Sequence, residues 1–313
     1  MIVVADPAAF PAELHPTAVT IGKFDGLHVG HQALLSQLQL QAESRSLRSV
    51  VVTFDRHPAA LFAPERAPAP IVSLEQKLEL LDSQRIAASV VLRFDEALSR
   101  LEPIEFVRDL LVGALGARLL IVGRDFRFGH RGAGDVDFLR ARADEFGYRL
   151  IVPDDELGPE GRRASSTWVR QALEEGDVAT AAELLGRYHW LRGTVVHGAK
   201  RGRELGFPTA NLSPDDLEGF IPGDGVYAGW FDDGERSSPA AISIGDNPTF
   251  DGVPQKQVEA HLIDARVDLY GKRVEVAFVE RIRGMERFDS IEALVERMGV
   301  DVDESRRILL GER

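Results

Sequence analysis

The run from Gly22 to His31 contains two histidines three residues apart, His28 and His31, among closely spaced glycines. Side chains three apart share one face of a first helical turn, so both imidazoles can donate hydrogen bonds to charge that develops on a phosphate. Glycines let backbone approach a phosphate closely, and the N–H groups of a following helix attract the same anion. The pattern predicts a nucleotide-phosphate site. The alternative is two incidental histidines at a helix start.

A second set of polar residues lies far along the chain, on segments that read as strands. Thr209 and Asn211 are two apart, so they face one side of an extended segment and offer the hard oxygen ligands that Mg²⁺ takes. Glu259 and His261 are also two apart, and either can accept a proton. We favour Glu259, because a carboxylate is ionised at neutral pH without tuning. The alternative is a polar strand face turned to solvent.

A basic, glycine-rich segment comes just before Thr209. Flexible backbone with interleaved positive charge can wrap a triphosphate, although a charge cluster is more often a solvated turn. The predicted nucleotide contacts in this segment are Gly198, Lys200, Arg201, Gly202 and Arg203.

Strands and helices alternate through the first half of the chain, which predicts a mainly parallel sheet with helices on both faces. Apolar runs predict strands over Ala18–Phe24, Val50–Phe54, Ser89–Phe94, Leu119–Gly123 and Tyr148–Val152. Helical periodicity predicts helices over Gly30–Ser44, Leu74–Arg85, Pro103–Leu115 and Val136–Phe146.

The pattern changes near Tyr188. Two short helices, Ser166–Gly176 and Asp177–Leu185, precede the change and are predicted to form a hinge. Short extended runs separated by turns then predict an antiparallel barrel or sandwich. These runs are Gly193–His197, Gly225–Phe231, Ala240–Ile244, Gln257–Ile263 and Arg273–Ile282, and a last helix is predicted over Ile291–Met298 with Ser290 as its N-cap. We therefore predict two domains, 1–186 and 187–313.

Composition limits the classes of function. The chain has 313 residues, a formal net charge of -13 and no cysteine. The charge argues against nucleic acid or an anionic membrane as a partner, and the missing cysteines exclude disulfides, thiolate metal sites and cysteine nucleophiles. We find no signal peptide and no apolar run long enough to span a bilayer, so we expect a cytoplasmic protein. No oligomeric state is indicated.

The string from Gly22 to His31 resembles the G-x-F-D-G-x-H-x-G-H signature of bacterial FAD synthetases. Val52–Pro58 resembles the V-T-F-x-x-H-P segment of that family, with Arg56 where proline is common. Val122–Gly129 and the S-S-T-x-[IV]-R motif at Ser165–Arg170 also match. The resemblance implies catalytic roles for His28 and His31, nucleotide binding by Gly22, Phe24, Asp25, Gly26, Gly30, Ser165, Ser166, Thr167 and Arg170, and flavin binding by His57, Pro58, Asp125, Phe126 and Phe128.

The stretch from Gly193 to Leu212, with its P-T-A-N motif, resembles riboflavin kinases. The resemblance continues through Leu269–Gly271 and implies Mg²⁺ at Thr209 and Asn211 and a catalytic base at Glu259. The segment 264–268 departs from the Phe-Asp-Gly often found in relatives.

Together the resemblances cover about residues 15–282 and point to the bacterial bifunctional riboflavin kinase/FMN adenylyltransferase family. They imply a Rossmann-like α/β domain followed by a small antiparallel β-barrel with a C-terminal helix. The implied activity is phosphorylation of riboflavin to FMN and adenylylation of FMN to FAD, with ATP as co-substrate and Mg²⁺ as cofactor. Two alternatives stay open: an enzyme that keeps one of the activities, and a flavin-binding regulatory protein without turnover.

Overall fold

The computed structural model describes residues 1–155, 157–158, 161–197, 206–246, 256–265 and 267–311. The chain forms two compact units, Met1–Ser165 and Ser166–Arg313. This structural division precedes the predicted functional boundary at 186/187, because the two helices between these points pack with the second unit.

The first unit is built on a six-stranded sheet in the order β1-β4-β3-β2-β5-β6. Every pair of neighbouring strands in it is parallel, which confirms the predicted parallel sheet. The strands are β1 Ile2–Val4, β2 Thr17–Ile21, β3 Arg48–Phe54, β4 Ala88–Leu92, β5 Ala117–Ile121 and β6 Arg149–Ile151.

Helices cover both faces of this sheet. Val19 and Val50 belong to one buried apolar cluster, whereas the adjacent Ala18 and Val51 belong to another, as expected for strands covered on both sides. The helices are α1 Val29–Glu43, α2 Ala59–Phe62, α3 Leu74–Ser83, α4 Glu96–Arg100, α5 Pro103–Glu105 with its continuation Phe106–Ala114, and α6 Val136–Phe146.

The predicted helix over Pro103–Leu115 is present, and from Phe106 onward it is a π-helix. Its last turn closes with a bond from the N–H of Leu115 to the carbonyl of Leu110, five residues back. Val107, Leu111 and Leu115 are completely buried at intervals of four residues. The wider turn keeps all three on the face that packs against the sheet.

The strand order places a topological switch beside β2. The chain runs from β2 to β3 and β4 on one side and then returns to β5 on the other side of β2. Loops that leave β2 and β5 at their carboxyl ends therefore diverge and open a crevice, the usual position of ligands in such sheets.

The second unit is a closed barrel in the order β10-β11-β8-β7-β12-β9, preceded by two helices and followed by one. All its strand pairs are antiparallel, and pairing of β9 with β10 closes the sheet, so the barrel and not the sandwich is correct. The elements are α7 Ser166–Glu174, α8 Val178–Leu185, β7 His189–Val196, β8 Ala210–Leu212, β9 Gly225–Asp232, β10 Ser237–Asp246, β11 Lys256–Leu262, β12 Arg273–Arg283 and α9 Ile291–Leu310.

The last helix, α9, is longer than the predicted Ile291–Met298. Ser290 caps it as predicted, with its hydroxyl accepting from the N–H of Ala293 at 3.1 Å. A buried ion pair holds its middle against the barrel, where Arg283 Nη2 lies 2.7 Å from Asp301 Oδ2. This tertiary contact lies beyond the predicted end, and the periodicity read from the sequence did not include it.

Candidate active sites

The loop that leaves β2 is held in an unusual backbone conformation. Phe24, Gly26 and Leu27 have φ of 49°, 76° and 44°. Phe24 and Leu27 are fully buried, so packing maintains a conformation that non-glycine residues otherwise avoid. The Asp25 carboxylate accepts from the N–H of Ile71 at 2.9 Å, and a Cβ at Gly26 would lie 2.9 Å from Ile71 Cδ1. The loop is therefore fixed before any ligand binds.

The two histidines follow this loop at the start of α1. Their rings stack with centroids 3.7 Å apart, which confirms the predicted shared face. His28 is the N-cap residue, and it makes no side-chain capping bond within the described residues. A Cβ at Gly30 would come within 3.2 Å of the His28 ring, so the glycine gives that ring its room. The N–H groups of the first helical turn point to the same edge of the sheet.

Both histidines are neutral at pH 7. Burial, together with the positive charge of Arg163, lowers the pKa of His28 to about 4. Burial also holds the pKa of His31 well below its usual range, with smaller contributions from His28 and Lys23. A neutral imidazole keeps one N–H donor, so the stacked pair can donate hydrogen bonds without carrying charge. Positive charge at this edge must come from the helix end and from nearby lysine or arginine.

Arg163 binds the loop that follows β5. Its Nη1 and Nη2 donate to Asp125 Oδ2 and Oδ1 at 3.1 and 2.9 Å, and its Nε lies 3.1 Å from Asp155 Oδ1. The hydrogen bond from Arg163 holds the pKa of Asp125 below its usual range. Asp125, predicted as a flavin contact, is therefore an ionised anchor for an arginine beside the histidines.

Two phenylalanines with predicted ligand roles are packed in the core. Phe24 is completely buried, and its ring centroid lies 5.1 Å from that of His31. Phe128 is 7% exposed and stacks on Phe126 at 5.3 Å. Phe126 is only partly buried. Of the three predicted phenylalanines, Phe126 therefore has the most side-chain surface left for a ligand, whereas Phe24 can contact one mainly through its backbone.

The loop that leaves β3 lies beside the loop of β2. Ala59 N–H donates to His57 Nδ1 at 3.1 Å, and Lys23 Nζ lies 3.3 Å from His57 Nε2. Pro58 is the N-cap of the short helix α2. Arg56, which stands where relatives often carry proline, is exposed, with its Nε 3.8 Å from Asp55 Oδ2.

The S-S-T motif falls at the division between the units. Ser165 ends the first unit, whereas Ser166 and Thr167 open α7 in the second. Arg170 Nη1 donates to the carbonyl of Ser166 at 3.2 Å. The predicted phosphate contacts of these four residues stay predictions.

On the barrel, the predicted kinase residues meet on the outer surface. Ala210, Leu212, Val258 and Ala260 are buried, so the residues between them face outward. Asn211 and Glu259 are direct partners in the register of β8 and β11.

Hydrogen bonds join Thr209 to both of these partners. Thr209 Oγ1 donates to Glu259 Oε2 at 3.1 Å, and Asn211 Nδ2 lies 3.2 Å from Thr209 Oγ1. The structure thus brings the three predicted polar residues into one cluster.

His261 lies beside this cluster and is oriented by the segment that precedes it. Its Nδ1 donates to the carbonyl of Pro208 at 2.9 Å, and its ring centroid lies 5.4 Å from that of Phe207. A carbonyl oxygen can only accept, so His261 donates to the backbone through Nδ1. The predicted contacts Gly198, Lys200, Arg201, Gly202 and Arg203 lie outside the described residues.

Comparison with known proteins matches each half of the chain separately. The FAD synthetase family model matches residues 10–168, and the riboflavin kinase model matches residues 185–309. The bifunctional riboflavin kinase/FMN adenylyltransferase of Escherichia coli K12 is 39% identical over 284 residues, 90% of each chain. The enzyme of the same name from Pseudomonas fluorescens is 38% identical over 289 residues, 92% of each chain.

The chain belongs to the bifunctional riboflavin kinase/FMN adenylyltransferase family. The predicted family is confirmed, and with it the assignment to FAD biosynthesis by way of FMN.

A solved structure supports the same fold for this family member. A Streptococcus pneumoniae protein, described as a macrolide-efflux protein, has a TM-score of 0.86 at 30% identity, and the match covers 97% of this chain and 98% of that one.

None of the helices in the described part of the chain combines the length and apolar character that crossing a bilayer requires.

The sequence analysis did not identify two cationic residues of the FAD synthetase half, Arg163 and Lys77. Arg163 stands just before the S-S-T motif, and 38 residues separate it from its partner Asp125. Lys77 is 8% exposed and donates to the carbonyls of Phe54, at 2.8 Å, and Lys23, at 3.4 Å. Burial lowers the pKa of Lys77 to about 8. The sequence could have pointed to Lys77, because a lysine on the apolar face of a predicted amphipathic helix is unusual.

An aromatic side chain near the same edge was also missed. Phe62, in α2, is 69% exposed, and its ring packs edge-on against Phe94 at 6.4 Å. Phe94 in turn packs edge-on against Phe54 at 5.6 Å. An exposed ring on an aromatic base offers a flat apolar surface.

Proposed function

We propose that this chain phosphorylates riboflavin to FMN on the outer face of its barrel and adenylylates FMN to FAD at the carboxyl edge of its parallel sheet. ATP is the co-substrate of both reactions. The functional domains of this proposal are 1–186 and 187–313. The observation that carries it is that two separate polar clusters, each in a region matched by its own family model, have the groups that its reaction needs.

In the adenylylation, a phosphate oxygen of FMN attacks the α-phosphorus of ATP, and the bond to pyrophosphate breaks. Negative charge grows on the α-phosphate oxygens during this step. The neutral imidazoles of His28 and His31 donate N–H groups to that charge, and the N-terminus of α1 adds its free N–H groups. The predicted nucleotide contacts Gly22, Gly26 and Gly30 lie along this backbone, where a Cβ would meet the side chains of Phe24, Ile71 and His28.

In the kinase reaction, the terminal ribityl hydroxyl attacks the γ-phosphorus of ATP, and ADP leaves. Glu259 takes the hydroxyl proton. The hydrogen bond from Thr209 fixes the orientation of the carboxylate and leaves other lone pairs for the substrate. Glu259 is chosen over His261 because its carboxylate lies within the cluster of predicted magnesium ligands, 3.1 Å from Thr209 Oγ1.

The residues present fit a magnesium ion. The Thr209 hydroxyl lies 3.1 Å from the Glu259 carboxylate and 3.2 Å from the Asn211 amide nitrogen. Hydroxyl, amide and carboxylate oxygens are the hard donors that Mg²⁺ prefers. Thr209 Oγ1 and the Asn211 amide oxygen, turned outward, would hold it. Bound there with ATP, the ion would neutralise phosphate charge.

Purified protein with riboflavin, ATP and Mg²⁺ tests the proposal, with flavins separated by chromatography. We expect FMN to form first and FAD to follow, and FMN supplied directly to yield FAD. Accumulation of FMN alone would indicate an enzyme that keeps only the kinase. FAD from supplied FMN without riboflavin phosphorylation would indicate an enzyme that keeps only the adenylyltransferase. Formation of neither product would indicate a flavin-binding protein.

We place the reactions in the cytoplasm, with small molecules as partners.

A further inference from the structure

A buried ammonium group joins the carboxyl ends of two neighbouring strands in the parallel sheet. Lys77 is in α3, and its Nζ donates to the carbonyl of Phe54 at 2.8 Å and to that of Lys23 at 3.4 Å. Phe54 is the last residue of β3, and Lys23 lies two residues past the end of β2. The side chain therefore links α3 to both strand ends.

The contribution of Lys77 lies in these hydrogen bonds and not in filling space. Burial of a charge is costly unless nearby groups compensate it. Burial lowers the pKa of Lys77 to about 8, and the carboxylates of Asp25 and Asp55 oppose that shift, so the side chain is an ammonium at neutral pH. An apolar side chain of the same length would fill this buried position without the cost of the charge.

Other hydrogen bonds hold the same loop at neighbouring residues. Thr53 Oγ1 also donates to the carbonyl of Lys23, at 3.2 Å. The N–H of Ile71, three residues before α3 begins, donates to the Asp25 carboxylate at 2.9 Å. Lys77 and Ile71 thus hold the loop at Lys23 and at Asp25, on both sides of Phe24.

These restraints act at the entry to the strained turn that leads to the two histidines. Phe24 and Leu27 have left-handed φ angles, and such backbone persists only where its surroundings fix it. Lys23 directly precedes Phe24, so the position of its carbonyl sets the direction in which the turn leaves β2. The turn ends at His28, whose ring stacks on that of His31.

We propose that Lys77 is a positioning residue of the adenylylation reaction, which holds the turn between β2 and α1 and thereby places the donors of His28 and His31. The proposal rests on the proposed adenylyltransferase function. Lys77 acts through the Lys23 carbonyl and does not touch substrate. Its loss should lower kcat more than substrate affinity, because displaced donors stabilise the transition state less well while the substrates still bind.

Steady-state kinetics of FAD formation from FMN and ATP test this role on the full chain. Lys77→Met keeps the length and the apolar stem of the side chain and removes the ammonium. The kcat should fall about 10²-fold, the cost of displacing catalytic groups by about 1 Å, and the KM for each substrate should stay within about threefold. Riboflavin phosphorylation by the same variant should be unchanged.

Leu81→Val is the matched control for a general loss of stability. Leu81 is fully buried one turn further along the same face of α3. Loss of a methylene there should lower the melting temperature by a few degrees and leave kcat and both KM values at their wild-type levels.

Chemical rescue separates the charge from the volume of the side chain. The chain has no cysteine, so Lys77→Cys introduces a single thiol that can be alkylated in denaturant before refolding. Bromoethylamine restores a side chain of the length of lysine that ends in an ammonium, whereas 1-bromopropane gives a neutral side chain of that length. The aminoethylated protein should regain most of the kcat, and the propylated protein should not. Wild-type protein carried through the same steps sets full recovery.

The outcomes separate this role from the underlying function. A near-normal kcat in Lys77→Met, or raised KM values with an unchanged kcat, would overturn the proposal. An equal loss of kcat in Leu81→Val would reduce Lys77 to a structural residue, and equal recovery with both alkylating reagents would show that the charge is not needed. Failure of the unaltered protein to make FAD from FMN would instead overturn the proposed function itself.

Discussion

The two candidate sites present different chemical groups for phosphate binding. At the edge of the parallel sheet, backbone N–H groups of α1 and two buried, neutral imidazoles supply donors without formal charge. On the barrel, the outward cluster of Thr209, Asn211 and Glu259 supplies oxygen atoms. In the proposed function, the first arrangement would bind an anion directly, whereas the second would hold a cation between protein and phosphate.

This difference follows from the folds. A parallel sheet places helix N-termini beside strand ends, so free N–H groups are available at one edge. A closed antiparallel barrel satisfies its backbone groups between strands and offers side chains on its outer face. Different substitutions should therefore disable each site without affecting the other.

The largest effect should come from Glu259→Gln. The amide keeps an acceptor for Thr209 but has no basic oxygen, so kcat for riboflavin phosphorylation should fall by ~10²–10⁴ while riboflavin still binds. Product chromatography and quenching of flavin fluorescence measure the two quantities. FAD synthesis from supplied FMN is the control. Phosphorylation at a near-normal kcat would remove Glu259 as the base, and His261→Ala, expected to cost less, would then be the variant to examine.

The next effect concerns the histidines. His28→Ala and His31→Ala should each lower the rate of FAD synthesis from FMN by about 10²–10³, the usual cost of losing a positioned donor to a transition state. FMN synthesis from riboflavin should persist in both variants. Wild-type rates of FAD formation in both variants would contradict the assignment of His28 and His31 to the adenylylation site.

A smaller effect is expected in the pH dependence of the free energy of unfolding, because His28 is buried. The folded-state pKa of His28, about 4, lies below that of the unfolded chain, so its contribution to stability is complete above pH 6.5 and is lost as the pH falls toward 4. The loss should be on the order of 3 kcal/mol. Denaturant unfolding of the wild type and of His28→Phe measures it. Equal pH dependence in the two proteins between pH 7 and 4.5 would contradict the assignment.

The smallest effect concerns where the barrel unit begins. Fragments 187–313 and 166–313 should both convert riboflavin to FMN and not to FAD. The longer one should melt several degrees higher, because it keeps the fully buried Leu184 and Leu185 of α8 and the bond from Gly223 N–H to the Leu173 carbonyl. Thermal unfolding measures this, and equal melting temperatures would place the structural boundary at the functional one.

Local pattern predicted most elements but not their partners. The 3.6-residue period gave α6 with its observed bounds, and the two-residue period put Glu259 and His261 on one face of a strand. The same reasoning missed the π-helical turn after Glu105 and treated α7 and α8 as a hinge, although they pack with the barrel unit. Periodicity reports which face is apolar, not which surface covers it.

The sequence by itself determined the two fold classes, the family, and the histidine, hydroxyl and carboxylate groups of both sites, because these depend on residue type and short spacing. Only the tertiary structure decided the rest. The fold brings Arg163 into hydrogen bonds with Asp125 and Lys77 into a hydrogen bond with the Lys23 carbonyl. It also buries Phe24 and Phe128 and lowers the pKa of His28. Each of these depends on contacts between residues distant in the chain and on exclusion of water, which no local pattern encodes.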